Sequence, residues 1–210
     1  MNRRHFNAGA AALLLGMAFA TRANTPGVIL VVGDSLSAEY GLKRGSGWVA
    51  LMEKRLRDQS KPVKVVNASI SGDTTSGGRS RLAALLEQHK PTIVVIELGG
   101  NDALRGLPLQ TSQDNLQAMV QACQAIHAKV LLLGMQVPPN YGTDYSAQFA
   151  AMYASVAKSK SVPLVPFFLK GVADVPDSEK LFQSDRIHPV EAAHPTLLNN
   201  VWPALSKLIA

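Results

Sequence analysis

Along this chain, solid apolar runs alternate with stretches whose apolar residues recur every three to four positions. Gly27 to Val32 (GVILVV) is continuous, apolar and rich in β-branched residues. It predicts a strand buried on both faces. Val63 to Val66, Thr92 to Leu98 (TIVVIEL), Val130 to Gly134 (VLLLG) and a short run within Val162 to Phe168 predict four more strands. Between them lie helical periods. Trp48, Leu51, Met52 and Leu56 mark one helix, and Leu82, Leu85 and Leu86 a second that Pro91 brackets. Ser112 to Ala128 predicts a third, starting at Thr111 or Ser112, and Tyr145 to Ala157 a fourth. Pro189 to Ile209 closes the chain as an amphipathic helix, with Leu197, Leu198, Val201, Trp202, Leu205, Leu208 and Ile209 on or near its buried side.

Alternating strands and helices, with strands that are solid rather than alternating, predict an α/β fold with helices on both faces of a parallel sheet. Sites in such sheets form beyond the carboxyl ends of the strands. The polar clusters of this sequence fall there. Asp34-Ser35 follows the first strand, Ser71-Gly72-Asp73 the second, Gly99-Gly100-Asn101-Asp102 the third, and Met135 to Gly142 the fourth.

Composition narrows the class. The 210 residues, 47% apolar and 17% charged, suit one globular domain. Met1 to Ala23 reads as an export signal. Arg3 and Arg4 give a positive start, Ala8 to Ala20 is small and apolar, and Ala18-Phe19-Ala20 and Thr21-Arg22-Ala23 offer cleavage sites. The apolar stretch is short for a membrane span. Arg3-Arg4-His5-Phe6 resembles a twin-arginine signal; an ordinary secretory signal and an uncleaved anchor are the other readings. A periplasmic or secreted domain over 24–210 is therefore expected. Removing Arg3, Arg4 and Arg22 takes the net charge from +6 to +3. That mildly basic balance suits an anionic surface such as a membrane face, with transient contact. No basic stripe of the kind that tracks nucleic acid is present. The single cysteine, Cys123, shares a helical period with Leu116, Met119, Val120 and Ile126, and reads as core.

Candidate chemistry begins with what is missing. The sequence has no HExxH, no paired CxxC, no GxGxxG after a strand, no P-loop lysine and no G-x-S-x-G elbow. Gly33-Asp34-Ser35-Leu36-Ser37 remains, at the end of the first strand, where Gly33 is expected to let the backbone turn sharply. Ser35 either caps this turn or acts as a nucleophile, and a nucleophilic serine needs a base. His5 lies in the leader, and His89 and His127 lie near helix ends far from the strand tips, leaving His188 and His194. Asp185 stands three residues before His188, so both side chains can face one way in a tight turn and fix the imidazole tautomer. Pro189 keeps His188 out of the helical region and suits a first helical position. A surface Asp–His pair is the alternative. For an oxyanion, Gly72 can present an unobstructed N–H, Asn101 its side-chain amide, and Ser35 or its neighbours a further amide.

Taken together, Gly33-Asp34-Ser35-Leu36-Ser37, Gly72, Gly99-Gly100-Asn101-Asp102 and Asp185-Arg186-Ile187-His188-Pro189 resemble the SGNH (GDSL) hydrolases. Asn67 to Thr74, Leu104-Arg105-Gly106, Pro139 to Gly142 and Pro163 to Phe168 look like the subgroup of bacterial thioesterase I, lysophospholipase L1 and arylesterase. The resemblance implies a flavodoxin-like three-layer α/β/α sandwich with a five-stranded parallel sheet. It implies Ser35 as nucleophile, His188 as base, Asp185 as its orienting partner, and Ser35, Gly72 and Asn101 as the oxyanion hole. It also implies hydrolysis of a small-molecule ester or lysophospholipid through an acyl-enzyme, for which no metal or organic cofactor is needed; a monomer is expected. Leu104 to Leu109 and Met135 to Tyr145 are expected to line an acyl groove or to pack as ordinary loops. Glu39 and Arg186 depart from the pattern and are expected to change charge at the pocket mouth. A carbohydrate O-deacetylase with the same triad and a non-catalytic binding module are the competing readings.

Overall fold

The computed structural model describes residues 27–209. The expected export signal over 1–23 and the domain start at 24 lie outside the described residues. In chain order the elements are β1 (Gly27–Gly33), α1 (Trp48–Asp58), β2 (Val63–Asn67), α2 (Thr75–His89), β3 (Ile93–Glu97), α3 (Gly100–Leu104), α4 (Leu109–Ala125), β4 (Lys129–Leu133), α5 (Thr143–Lys160), β5 (Leu164–Val165) and α6 (His194–Ile209). All five strands pair in parallel, in the order β2-β1-β3-β4-β5. This is the doubly wound order of flavodoxin-like folds, as expected.

The core follows from the solid runs. Ile29 to Val32, Val94 to Ile96 and Leu131 to Leu133 are almost wholly buried, because helices cover both faces of the three central strands. Right-handed crossovers place α1 on one face and α2, α4 and α5 on the other. α6 packs with α1, and α4 packs between α2 and α5. At the edge, β2 is only partly buried, with Lys64 and Asn67 exposed.

Several boundaries differ from the sequence reading. α4 begins at Leu109, not Ser112, because Ser112 turns its hydroxyl inward to Asp102 instead of capping the helix. It ends at Ala125 because His127 takes a left-handed φ of 62°. Leu116, Met119, Val120 and Cys123 are buried as expected, whereas Ile126 lies past the helix end in solvent. The expected turn at Gly99 to Asp102 is the start of a short helix, α3. The last helix begins at His194 rather than Pro189, and Pro189 instead pairs with Phe182 in an isolated antiparallel bridge.

Candidate active site

The chain leaves β1 in a tight turn. The N–H groups of Ser37 and Ala38 both donate to Asp34 O (3.2 and 2.9 Å), and Tyr40 N donates to Ser35 O (3.3 Å). The turn is fastened from below. Ser37 Oγ donates to Glu97 Oε2 (2.8 Å) and accepts from Trp48 Nε1 (3.1 Å), while Asn67 Nδ2 donates to Ser37 O (2.7 Å). Gly33 does not serve the purpose expected of it, since its φ is not positive. It is required for space: a Cβ there would lie 2.8 Å from both Glu97 Oε2 and Ser37 Oγ.

The structure brings Ser35, His188 and Asp185 together. Ser35 Oγ is 2.8 Å from His188 Nε2, and His188 Nδ1 is 2.7 Å from Asp185 Oδ2. Asp185 Oδ1 accepts from the backbone N–H groups of His188 (3.0 Å) and Ile187 (2.9 Å). The His188 N–H, then the imidazole and the Ile187 N–H, hold the Asp185 carboxyl down at about 2. An ionised carboxylate only accepts, so Nδ1 carries the imidazole proton and Nε2 offers its lone pair to Ser35. Of the two remaining histidines, only His188 reaches the site. His194 is buried and neutral, its pKa lowered by burial, and its Nδ1 accepts from Trp48 N (3.0 Å) at the start of α1.

Sequence reasoning missed how this loop is held. Gln183 N donates to His188 O (2.7 Å), and Gln183 Nε2 donates to Tyr40 O (2.9 Å) and Pro189 O (3.2 Å). Gln183 thereby ties the histidine loop to the serine loop. It fits only because Gly41 has no side chain; a Cβ there would meet Gln183 Oε1 at 2.1 Å. The Tyr40 ring lies against the His188 imidazole, centroids 4.2 Å apart. The two departures noted above also find their places. Glu39 takes a left-handed φ of 61° and its carboxylate accepts from Gly45 N and Gly47 N just before α1, a local closure. Arg186 lies in solvent, 3.9 Å from Glu179.

On the opposite side stand the two other expected donors. Gly72 adopts φ 77°, and its carbonyl accepts from Arg105 Nη2 (2.7 Å). Its loop is clamped by Arg81, which pairs with Asp73 (2.8 Å) and donates to Ala68 O. Asn101, on α3, donates one amide hydrogen to Asp34 Oδ2 (2.9 Å), which leaves the second free. Among the described residues the N–H groups of Ser35 and Gly72 donate to no protein acceptor. Asp102, beside Asn101, is buried and accepts from Thr75 N (2.9 Å), Thr75 Oγ1 and Ser112 Oγ (2.9 Å). It therefore fixes α3 against the start of α2, three residues beyond Gly72.

Beneath Ser35 lies a buried pair of carboxyls, Asp34 and Glu97. Burial pushes Asp34 up to about 6, against hydrogen bonds from Leu36 N and Asn101. Burial and the neighbouring Asp34 push the Glu97 carboxyl well above the carboxylate range, so the two acids resist ionising together. The sequence carried one signal for Glu97: an acid inside an otherwise solid apolar run.

A hydroxyl bonded to a base of fixed tautomer, with uncommitted N–H donors at Ser35, Gly72 and Asn101 on the loops of the same sheet end, has the groups needed to attack a carbonyl and receive the oxyanion that results. Comparison with known proteins accords with that capacity. Residues 31–195 match the GDSL-like lipase/acylhydrolase family. The chain is 52% identical over 195 residues to "Esterase TesA" of Pseudomonas aeruginosa, covering 93% of this chain and 96% of that one. It is 40% identical over 188 residues to the "Thioesterase 1/protease 1/lysophospholipase L1" of Escherichia coli K12, covering 90% and 88%. A crystal structure of TesA superposes with a TM-score of 0.83 at 55% identity, covering 86% of this chain and 99% of that one.

Proposed function

The chain belongs to the GDSL-like lipase/acylhydrolase family and is a serine hydrolase of ester bonds, and from that premise we propose that Ser35, His188 and Asp185 carry the reaction on acyl esters and thioesters of lipid or aryl type. The observation that carries the assignment is the continuous chain of contacts Ser35 Oγ–His188 Nε2 (2.8 Å) and His188 Nδ1–Asp185 Oδ2 (2.7 Å). Ser35 Oγ attacks the carbonyl carbon as its proton passes to His188 Nε2. The C=O π electrons move onto oxygen, which the amides of Ser35 and Gly72 and the side chain of Asn101 receive. Collapse expels the alcohol or thiol, which takes its proton from His188. Water, deprotonated by His188, then attacks the acyl-Ser35 ester by the same route and releases the acid. Asp185, held ionised, stabilises the imidazolium at each step.

The names of the relatives favour esters and thioesters with lipid-like acyl groups over acetylated sugars. The leader over residues 1–23 supports a periplasmic or secreted site of action, where lysophospholipids and short esters are more accessible than acyl-CoA. The test is hydrolysis of p-nitrophenyl esters from C2 to C16 by the protein and by Ser35→Ala. Turnover is expected to extend to medium or long chains and to fall about 10³–10⁶-fold in the variant. Equal rates in the two proteins overturn the serine assignment, and activity confined to acetyl points to a deacetylase.

A further inference from the structure

The large apolar side chains that this fold leaves in solvent are unevenly placed. Among the described residues they are Tyr40, Ile70, Leu104, Ile126 and Ile187, each between 44% and 52% exposed. Ile126 follows α4, at the amino end of the sheet. The other four lie on the loops that carry Ser35, His188, Gly72 and Asn101. Tyr40 lies on the His188 imidazole, and Ile187 immediately precedes His188. Ile70 sits in the Gly72 loop, donating to Gly33 O (3.0 Å) and accepting from Asp73 N (3.0 Å). Leu104 ends α3, three residues after Asn101, and its neighbour Arg105 bonds the Gly72 carbonyl.

Cations share these loops. Lys43, Arg44, Arg105 and Arg186 are all exposed. Of the four, Arg186 alone has a carboxylate within 4.0 Å among the described residues. Of the nearby acids, Asp73 pairs with Arg81, Asp185 with His188 and Glu179 with Arg186, while the Glu39 carboxylate is turned onto the Gly45 and Gly47 amides.

We propose that this rim docks the enzyme onto an anionic lipid surface, with the opening over Ser35 facing the bilayer or micelle. The inference rests on the ester-hydrolase reading and names the physical state in which that site meets its substrate. A protein or a second copy seated on these loops would cover the site they carry. A lipid surface can occupy the rim while supplying the substrate. Isolated apolar side chains set among glycines and cations suit a soft, phosphate-bearing interface, which accepts them one by one and needs no matching shape.

The test places a reporter at each end of the sheet. Ile70→Trp and Ile126→Trp are mixed separately with phosphatidylglycerol and with phosphatidylcholine vesicles, and tryptophan emission is followed. A blue shift is expected for Ile70→Trp with phosphatidylglycerol, a smaller one with phosphatidylcholine, and none for Ile126→Trp. In parallel, Ile70→Ser is expected to lose about tenfold in hydrolysis of vesicle-borne lysophospholipid, with turnover of soluble p-nitrophenyl butyrate unchanged. No shift at position 70, or equal shifts at 70 and 126, overturns the docking surface. So does a lipid-independent shift that grows with protein concentration and accompanies dimer sedimentation, which would assign the rim to a second copy. Absence of all ester hydrolysis in the parent protein overturns the functional reading instead, and the emission data then judge the surface by themselves.

Discussion

Asp34→Asn is expected to stabilise the protein and slow it at once. Burial lifts the Asp34 carboxyl from 3.8 to about 6. At 1.36 kcal/mol per pH unit, keeping it ionised in the fold costs about 3 kcal/mol at pH 7. The unfolded chain gives up this proton first, so stability falls as pH rises from about 4 to about 6 and is level above that. Asparagine removes the cost but loses one accepted hydrogen bond, worth about 1 kcal/mol. The net gain of about 2 kcal/mol raises Tm by about 4–8 °C for a domain of this size. Activity moves the other way. Asp34 Oδ1 accepts from Leu36 N and Oδ2 from Asn101 Nδ2. An asparagine whose oxygen serves Leu36 turns its NH₂ toward the NH₂ of Asn101. Asn101 must then flip its amide or lose its anchor, and either change withdraws an N–H from the oxyanion. The expected loss is about 10²–10³ in kcat with KM nearly unchanged. Thermal melts at pH 4 and 7, with steady-state rates on p-nitrophenyl butyrate, read both effects. The double variant Asp34→Asn/Asn101→Ala should be no slower than Asn101→Ala alone. A kcat within threefold of the parent, a lower Tm at pH 7, or multiplicative losses in the double variant would refute the reasoning.

Other substitutions probe the remaining contacts. Asp185→Asn should lower kcat by about 10²–10⁴, because an amide can donate to Nδ1 and favour the wrong tautomer; a kcat near that of the parent would show that Asp185 does not set it. Gly33→Ala should cost about 1–3 kcal/mol in a urea melt, since its Cβ would meet Glu97 and Ser37 at 2.8 Å; an unchanged midpoint would mean the turn gives way freely. Asp102→Asn should lower kcat more than it raises KM, by loosening α3 against α2. The buried Cys123 thiol, pushed up to about 12 by burial, should resist thiol reagents in the native protein and react only after unfolding.

The layers were legible because each central strand is a solid apolar run, which only a sheet covered on both faces can bury. The site positions were legible because polar residues cluster where those runs stop. Element ends were less so. Ser112 reads as a helix cap, yet Asp102, ten residues earlier, draws it inward, and sequence spacing does not show that attraction. Pro189 reads as a helix start, yet the bridge to Phe182 uses it as extended backbone. Gly33 was noticed for its freedom, when the crowding that demands it comes from Glu97, sixty-four residues away in the chain. Gln183 and Glu97 support the reacting groups through contacts across the fold; Glu97 shows only as an acid inside an apolar run, and nothing local marks Gln183.

Ser35 stands just past the first strand, and the histidine proposed as its base lies 153 residues later, before the last helix. A ribosome must therefore translate nearly the whole chain before the serine meets an acceptor for its proton. On the proposed assignment, chains that stop short of Gln183 carry the hydroxyl without its proton acceptor and are expected not to turn over. For an ester hydrolase this order of synthesis is a built-in delay: the reacting pair forms only once the histidine loop has been made.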